Sequence, residues 1–542
     1  MPVLRPSSAP SALRRLAAAV VAAVVCASPA LHAAEAPLEL DLILRGGTVY
    51  TGSDDRPVVG DVGIVGDRIV FVGRPAAGQR FGARRTIDAT GLIVAPGFID
   101  AHTHADRDLF TDDPKKRLNI PFLTQGVTTA VIGNDGFGGF DIAAQAKRLR
   151  DSGVGTNVAM YVGFGPVRID QLGEAKREPT PEQLEVMKKH VSQAMCEGAL
   201  GLSTGLFYNP QNFAKTEEVI ELAKVAARHG GLYDSHIRDE SMYNIGLKGS
   251  IDEVIRIGRE AKLPVHVAHI KALGVDVQGQ SGDIIRRIEA ERVRGLDITA
   301  DHYPWTASST RFSAALVPPW ALDGGRAALL KRFDDPAEQE RLRTGMRENL
   351  RLRGGPEAIL FSAGSTKYVG RTLAQVAEAA KADPVDAAIA VLKDTDLHIA
   401  SFNQSDDDVR AFMKRPWVMT SSDSSEGHPR AYGTFARKYD QYVVKEHALS
   451  LAQFIRGSTS LTADTLGLVK RGYLRPGYYA DLVAFDPARF AARATYAQPA
   501  LLSEGVVTVL VNGELAVDRG QPTGIAAGRP LLRTPKAGSC PA

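Results

Sequence analysis

Eight apolar, β-branched stretches lie near 98–104, 128–133, 157–163, 199–203, 232–237, 264–270, 296–303 and 417–422, separated by loops and amphipathic helical patterns. Such alternation leaves a chain few choices. A parallel strand covered on both faces reads as a continuous apolar run, and each parallel crossover needs a helix. Eight such units predict a (β/α)8 TIM-like barrel, an α/β fold whose chemistry gathers at the C-terminal ends of its strands. The helices are signalled as clearly. Thr180-Pro181-Glu182-Gln183 combines an N-cap, a first-turn proline and a capping-box glutamine, and Gly198 closes that helix. Further helices are expected over 217–228, 251–262 and 283–294.

The ends read differently. Residues 40–95 alternate apolar and polar positions between glycine turns, and GYYADLVAFDP and VVTVLVNGELAVDRG return to that pattern near the C-terminus. Segments 38–95 and 465–535 are therefore expected to form one small β-sandwich domain beside a barrel of residues 96–464. The interval from Tyr303 to Trp417 is too long for a plain loop, which predicts an inserted subdomain, about 311–365, between the seventh and eighth strands.

Arg5, Arg14 and Arg15 precede an apolar run over 16–27, followed by Ser28-Pro29 and small residues to Ala34. This layout predicts a signal peptide over 1–34 and export to the periplasm or beyond. The run is short of the ~20 residues that span a bilayer, so no membrane span is expected. Three of the 65 basic residues and none of the 62 acidic ones fall in that leader, so the remainder is electrically balanced. That balance argues against a nucleic-acid partner. Only Cys196 and Cys540 follow the leader, so no disulfide framework exists and no bridge is expected.

The first strand closes in GFIDAHTHAD, which puts His102 and His104 two residues apart and on one face, where both imidazoles can converge on a metal ion. His236 closes the fifth strand, His269 the sixth and Asp423 the eighth. Together they make a His4Asp set suited to zinc at the active face of a barrel. After the second strand, GNDGFGG admits three readings: a phosphate cradle, a hairpin, or a turn presenting the carboxylate of Asp135. There is no P-loop lysine and no partnering strand, which leaves Asp135 among the histidines.

The motifs PGFIDAHTH, HIRDE, AHIKALG, DHYPWTASST, SSDSSEGHPRAYGTF and GYYADLVAFDP make the chain resemble the amidohydrolase superfamily. Within it, the chain is similar to the N-acyl-D-amino acid deacylases, or D-aminoacylases, over nearly its whole length after the leader. The resemblance implies one or two zinc ions, with His236 and His269 holding the tightly bound ion and His102, His104 and Asp423 completing the site. Asp135 stands where those proteins carry a bridging cysteine in a GNCG turn.

The resemblance also implies that zinc-activated water attacks an N-acyl-D-amino acid amide, with Asp423 as the base and Tyr208 polarising the carbonyl. Lys271, Tyr303 and Ser309 fall where relatives bind the substrate α-carboxylate, and Arg430 where some contact an acidic side chain. Arg238 is expected to be structural, paired with Asp239, Glu240 or another barrel acid. Dipeptides and cyclic amides remain alternative small-molecule substrates, and oligomeric state is unspecified. Two rivals stand outside this reading. Gly201-Leu202-Ser203-Thr204-Gly205 fits the G-x-S-x-G pattern of serine hydrolases, but a loop follows it where that elbow requires a helix. A non-catalytic ligand-binding barrel would be expected to have lost metal ligands, all of which are present.

Overall fold

A computed structural model describes residues 38–541 apart from Gly78. The leader-like segment 1–34 lies outside the described residues. The eight barrel strands are Phe98–Asp100, Val127–Ile132, Asn157–Met160 with Val162–Gly163, Gly201–Gly205, Leu232–His236, Val265–Val267, Ile298–His302 and Val418–Thr420. Successive strands pair in parallel. Most are buried along their entire length, which is why they read as unbroken apolar runs. The first and eighth close the barrel through a sparse seam. Ser422 N donates to Asp100 Oδ1 at 2.9 Å and Asp423 N to the His102 carbonyl at 2.9 Å.

Helix Pro181–Cys196 carries the expected Thr180/Gln183 capping box. Helices Thr216–Arg228, Gly246–Ala261 and Ser281–Val293 follow, each turning an apolar face to the strands. The second of these begins five residues before the sequence pattern becomes periodic, at a start where Asp239 Oδ2 accepts from Asn244 N and Gly246 N.

Both chain ends build one nine-stranded sheet, joined where Ile93–Pro96 pairs antiparallel with Leu482–Phe485. Leu42, Val62, Ile64 and Ile69 from one end share a core with Leu482 and Leu510 from the other. Gly97 alone separates this sheet from the first barrel strand. A Cβ there would meet Thr128 Oγ1 at 2.2 Å, so only glycine lets the chain cross from one unit into the other so closely.

The insertion is larger than the sequence suggests. Its antiparallel sheet consists of Ala307–Arg311, His398–Phe402 and Ile359–Ala363, with His398–Phe402 in the middle. The unit therefore extends past 365 to 402, since its sheet is incomplete without that central strand. Phe312, Leu329, Met346, Phe361 and Ile399 give it a core of its own.

The C-terminal segment also departs from expectation. Beyond the β-domain strands, Pro530–Leu531 pairs in parallel with the third barrel strand. Arg533 N then donates to Gly198 O, and Lys536 N to His229 O. This path delivers Cys540 to Cys196 at the end of helix Pro181–Cys196, where a disulfide closes a separation of 344 residues. The sequence reading expected no bridge, because nothing in the spacing reveals that the tail doubles back along the barrel. A crosslink over so long a loop restricts the unfolded chain. Cys540→Ser should lower unfolding stability by about 2–4 kcal/mol in denaturant titrations, and wild type should lose a similar amount under reductant. Unchanged transitions in both would show that the strap adds nothing.

Candidate metal centre and substrate cleft

The predicted ligands all emerge at one end of the barrel. His102 and His104 follow the first strand, Asp135 the second, His236 ends the fifth, and His269 and Asp423 follow the sixth and eighth. Three of them hold left-handed backbone conformations: Asp135 at φ +56°, His269 at +34° and Asp423 at +45°. Such conformations cost about 1–3 kcal/mol each outside glycine and persist where surrounding structure enforces them. For Asp135 the enforcement is visible. Gly136 N donates to Ser203 Oγ at 3.0 Å, Gln211 Nε2 donates to the Asp135 carbonyl at 3.0 Å, and Ser203 Oγ donates to Asp234 at 2.7 Å. The serine of the G-x-S-x-G pattern is thus a buried strand residue supporting the Asp135 turn, not a nucleophile on an elbow.

Asp135 occupies the middle of the cluster. Its Oδ1 lies 3.4 Å from His102 Nε2 and 3.3 Å from His269 Nε2; its Oδ2 lies 3.4 Å from His104 Nε2 and 3.7 Å from His236 Nδ1. Each oxygen faces one histidine of the first-strand pair and one of the fifth/sixth-strand pair. Asp423 Oδ1 approaches His104 Nε2 at 3.3 Å and His102 Nε2 at 3.8 Å, while its Oδ2 meets Arg430 Nη1 at 2.9 Å.

The donor set fits a metal ion. Ligand atoms of His102, Asp135, His269 and Asp423 lie within 4.8 Å of one another. His102 Nε2, His236 Nε2 and Asp135 Oδ1 are buried without any hydrogen-bond partner, a costly arrangement unless a cation satisfies them. Imidazoles mixed with carboxylates suit zinc and its first-row neighbours.

The electrostatics are sharply divided. Burial alone would raise the Asp423 carboxyl, but the Arg430 guanidinium outweighs it and holds it well below the usual carboxylate range. Asp135 is likewise low despite burial, because His102, His269 and His236 surround it. Burial would lower His104, yet its hydrogen bonds to Asp135 and Asp423 raise it to about 10.

Behind the ligands, Asp301 of the seventh strand is a second hub. It bonds His266 Nε2 at 2.7 Å, accepts from His269 N at 3.0 Å and from Ser421 Oγ, and lies 3.9 Å from His102 Nδ1. Sequence reasoning missed it, although a carboxylate at the end of an apolar strand was a visible signal. Glu240 was missed as a functional group too. It faces His269 Nδ1 at 3.2 Å and His236 Nε2 at 3.8 Å, and pairs with Lys271 at 2.5 Å. Arg238 has its expected structural role, with Glu253 as its partner at 2.8 Å.

The predicted substrate residues divide. Tyr208, Lys271 and Ser309 line an inner cleft against His236 and His269. This cleft meets a cavity of about 520 Å³, walled by Phe137 on the barrel side and by Ala314, Leu322, Arg326 and Leu329 of the insertion. Tyr303 stands behind the cleft. Its hydroxyl accepts from Gln404 Nε2 at 3.0 Å, and its ring lies 4.8 Å from the Arg430 guanidinium and 5.8 Å from Lys271 Nζ. Arg430 is fully buried, engaged by Asp423 and by Ser425 Oγ at 2.6 Å. The geometry therefore commits Arg430 to Asp423 in place of the substrate contact expected of it.

Comparison with known proteins agrees with this arrangement. The profile of the amidohydrolase family matches residues 85–517. D-aminoacylase of Alcaligenes xylosoxydans xylosoxydans is 33% identical over 521 residues, covering 91% of this chain and 98% of that protein. A solved D-aminoacylase, described for the functional role of its binuclear metal centre, superposes with a TM-score of 0.77 at 32% identity, over 91% of this chain and all of the other. The N-acyl-D-glutamate deacylase of Bordetella bronchiseptica, solved with zinc and a phosphonate mimic of the tetrahedral intermediate, gives 0.76 at 29% identity, over 91% and 100%. Matched by that family over most of its length and aligned end to end with D-aminoacylase, the chain belongs to the amidohydrolase family, in its D-aminoacylase branch.

Proposed function

We propose that this protein binds zinc, as one or two ions, and hydrolyses the amide of N-acyl-D-amino acids to a carboxylate and a free D-amino acid. The observation that carries this reading is the carboxylate of Asp135 set between two histidine pairs, beside an Asp423 kept ionised by Arg430, in a chain aligned end to end with D-aminoacylase. His102, His104, His236, His269, Asp135 and Asp423 would hold the metal. Zinc supplies a Lewis acid that polarises a carbonyl and brings the pKa of water to about 7.

The chain's own groups do the rest. Asp423, ionised and oriented by Arg430, takes the proton of the attacking water and passes it to the leaving nitrogen. Tyr208 has its hydroxyl pushed well above the ordinary value, first by burial and then by Asp135 and Asp423, so it stays protonated. It can therefore donate to the oxygen on which charge develops. Lys271 and Ser309 receive the α-carboxylate, and Tyr303 braces Lys271 and Arg430 from behind.

We also infer export. The leader-like segment supports it, and so does the Cys196–Cys540 disulfide, since such bonds persist in oxidising compartments. Recovery of the full-length chain from the cytosolic fraction, leader intact, would overturn this.

The central test is a stereochemical screen of zinc-loaded protein with N-acetyl-D-amino acids, their L-forms, dipeptides and cyclic amides. Turnover confined to the D-acyl series is expected, lost with a chelator and regained with zinc; activity confined to L-forms or cyclic amides would refute the assignment. Tyr208→Phe should lower kcat by about 10²–10³ and Asp423→Asn by about 10²–10⁴.

Asp135→Ala should weaken metal affinity by about 10–100-fold in chelator competition; unchanged stoichiometry and affinity would reduce Asp135 to a turn residue. Arg430→Met should move the acid limb of kcat/KM to higher pH. The native arginine depresses the Asp423 pKa, so its removal lets that carboxylate take a proton at less acid pH.

A further inference from the structure

One buried cation of the inner cleft has no carboxylate partner among the described residues. Arg353 follows helix Pro336–Leu352 of the insertion and is 1% exposed. Its Nε donates to the Ala315 carbonyl at 3.1 Å, but Nη1 is buried with no partner. The guanidinium lies 5.6 Å from the ring of Tyr243, whose hydroxyl is equally unpartnered. Both residues line the cleft that contains Tyr208, Lys271 and Ser309.

Lys271 pairs with Glu240 and Arg430 with Asp423, so Arg353 is the one cation of the three that meets no carboxylate among the described residues. Glu240 is spent as well, held by Lys271 and facing His269 and His236. A guanidinium withdrawn from water without a counter-charge is unfavourable, and a ligand entering the cleft is where that counter-charge can come from.

Position decides which ligand group it is. Lys271 Nζ lies 2.6 Å from His269 Nδ1, at the reacting centre. Arg353 is held from the insertion side, where Val275 N donates to the carbonyl of Leu352 at 3.0 Å. An α-carboxylate, one carbon from the scissile nitrogen, belongs with Lys271 and Ser309. That leaves Arg353 and Tyr243, which line the same cleft, for a carboxylate carried on the side chain.

We propose that Arg353 and Tyr243 form the subsite for a side-chain carboxylate, so that the preferred substrates are N-acyl derivatives of acidic D-amino acids. This rests on the deacylase reading and assigns its specificity to a residue of the insertion. A planar guanidinium with a neighbouring phenol hydroxyl matches a carboxylate in shape and charge.

The test compares N-acetyl-D-glutamate with N-acetyl-D-leucine on the zinc-loaded full-length protein. Arg353→Met should lower the ratio of their kcat/KM values by about 100-fold, chiefly through the KM of the glutamate derivative. Arg353→Lys should restore part of that ratio, and Tyr243→Phe should lower it by about 3–10-fold. Melting curves confirm that each variant folds, and an unchanged ratio, including equal losses on both substrates, would overturn the proposal. Calorimetric binding of free D-glutamate and D-leucine separates the two readings. Arg353-dependent selectivity for D-glutamate supports the subsite even if no amide is hydrolysed, whereas hydrolysis without such selectivity leaves the deacylase reading standing and removes the subsite.

Discussion

The closure of the barrel between its first and eighth strands is the constraint on which the rest depends. Those strands are short and their seam is sparse, yet it fixes Asp423 N on the His102 carbonyl and Ser422 N on Asp100. The bond that closes the fold therefore also sets the distance between two of the metal-facing side chains. Asp100 makes this tolerable at the barrel centre. Burial, ahead of any hydrogen bond, pushes its carboxyl up to about 8, so at neutral pH it accepts from the backbone without adding a charge beside Asp301.

Around that seam, four ionised carboxylates are buried, and each faces a cationic or imidazole partner. Asp423 has Arg430, Glu240 has Lys271, Asp301 has His266, and Asp135 has the histidines. Buried pairs of this kind rarely stabilise a fold relative to apolar packing, and they are strongly destabilising when one partner is lost. The left-handed backbone at Asp135, His269 and Asp423 adds further cost. The apolar staves beneath, such as Val127, Val158, Leu202 and Val265, offset it. Strain and charge collect at the strand ends because burial is secured below them.

This division explains what was legible in the sequence. Buried parallel strands advertise themselves as apolar runs, and a strand's C-terminus marks the active face, so all eight strands and the histidines and aspartates that converge at their ends could be read directly. Partners were harder. That Arg430 turns to Asp423, that Tyr303 faces Gln404, and that Cys540 returns to Cys196 are consequences of loops and a tail whose paths no periodicity encodes. The insertion was visible as a gap, but its limits were not, because its central strand His398–Phe402 lies far in sequence from both strands it joins. Arg353 carries no local signal at all. Among basic residues on an amphipathic helix end it looks solvated, and only the packing of the insertion turns it inward.

The metal centre and the wall of the cleft therefore come from different parts of the chain. Every proposed ligand lies at a barrel strand end and is bound into the seam, the Asp135 turn or the Asp301 hub, where a change in one group displaces several. The insertion has its own core and reaches the cleft through a few side chains. Substitutions on its inner surface can alter what fits without disturbing the charges that drive hydrolysis. A barrel so tightly cross-linked at its chemical end gains new specificity most readily by remodelling the one unit that folds around separate packing and only leans over the mouth.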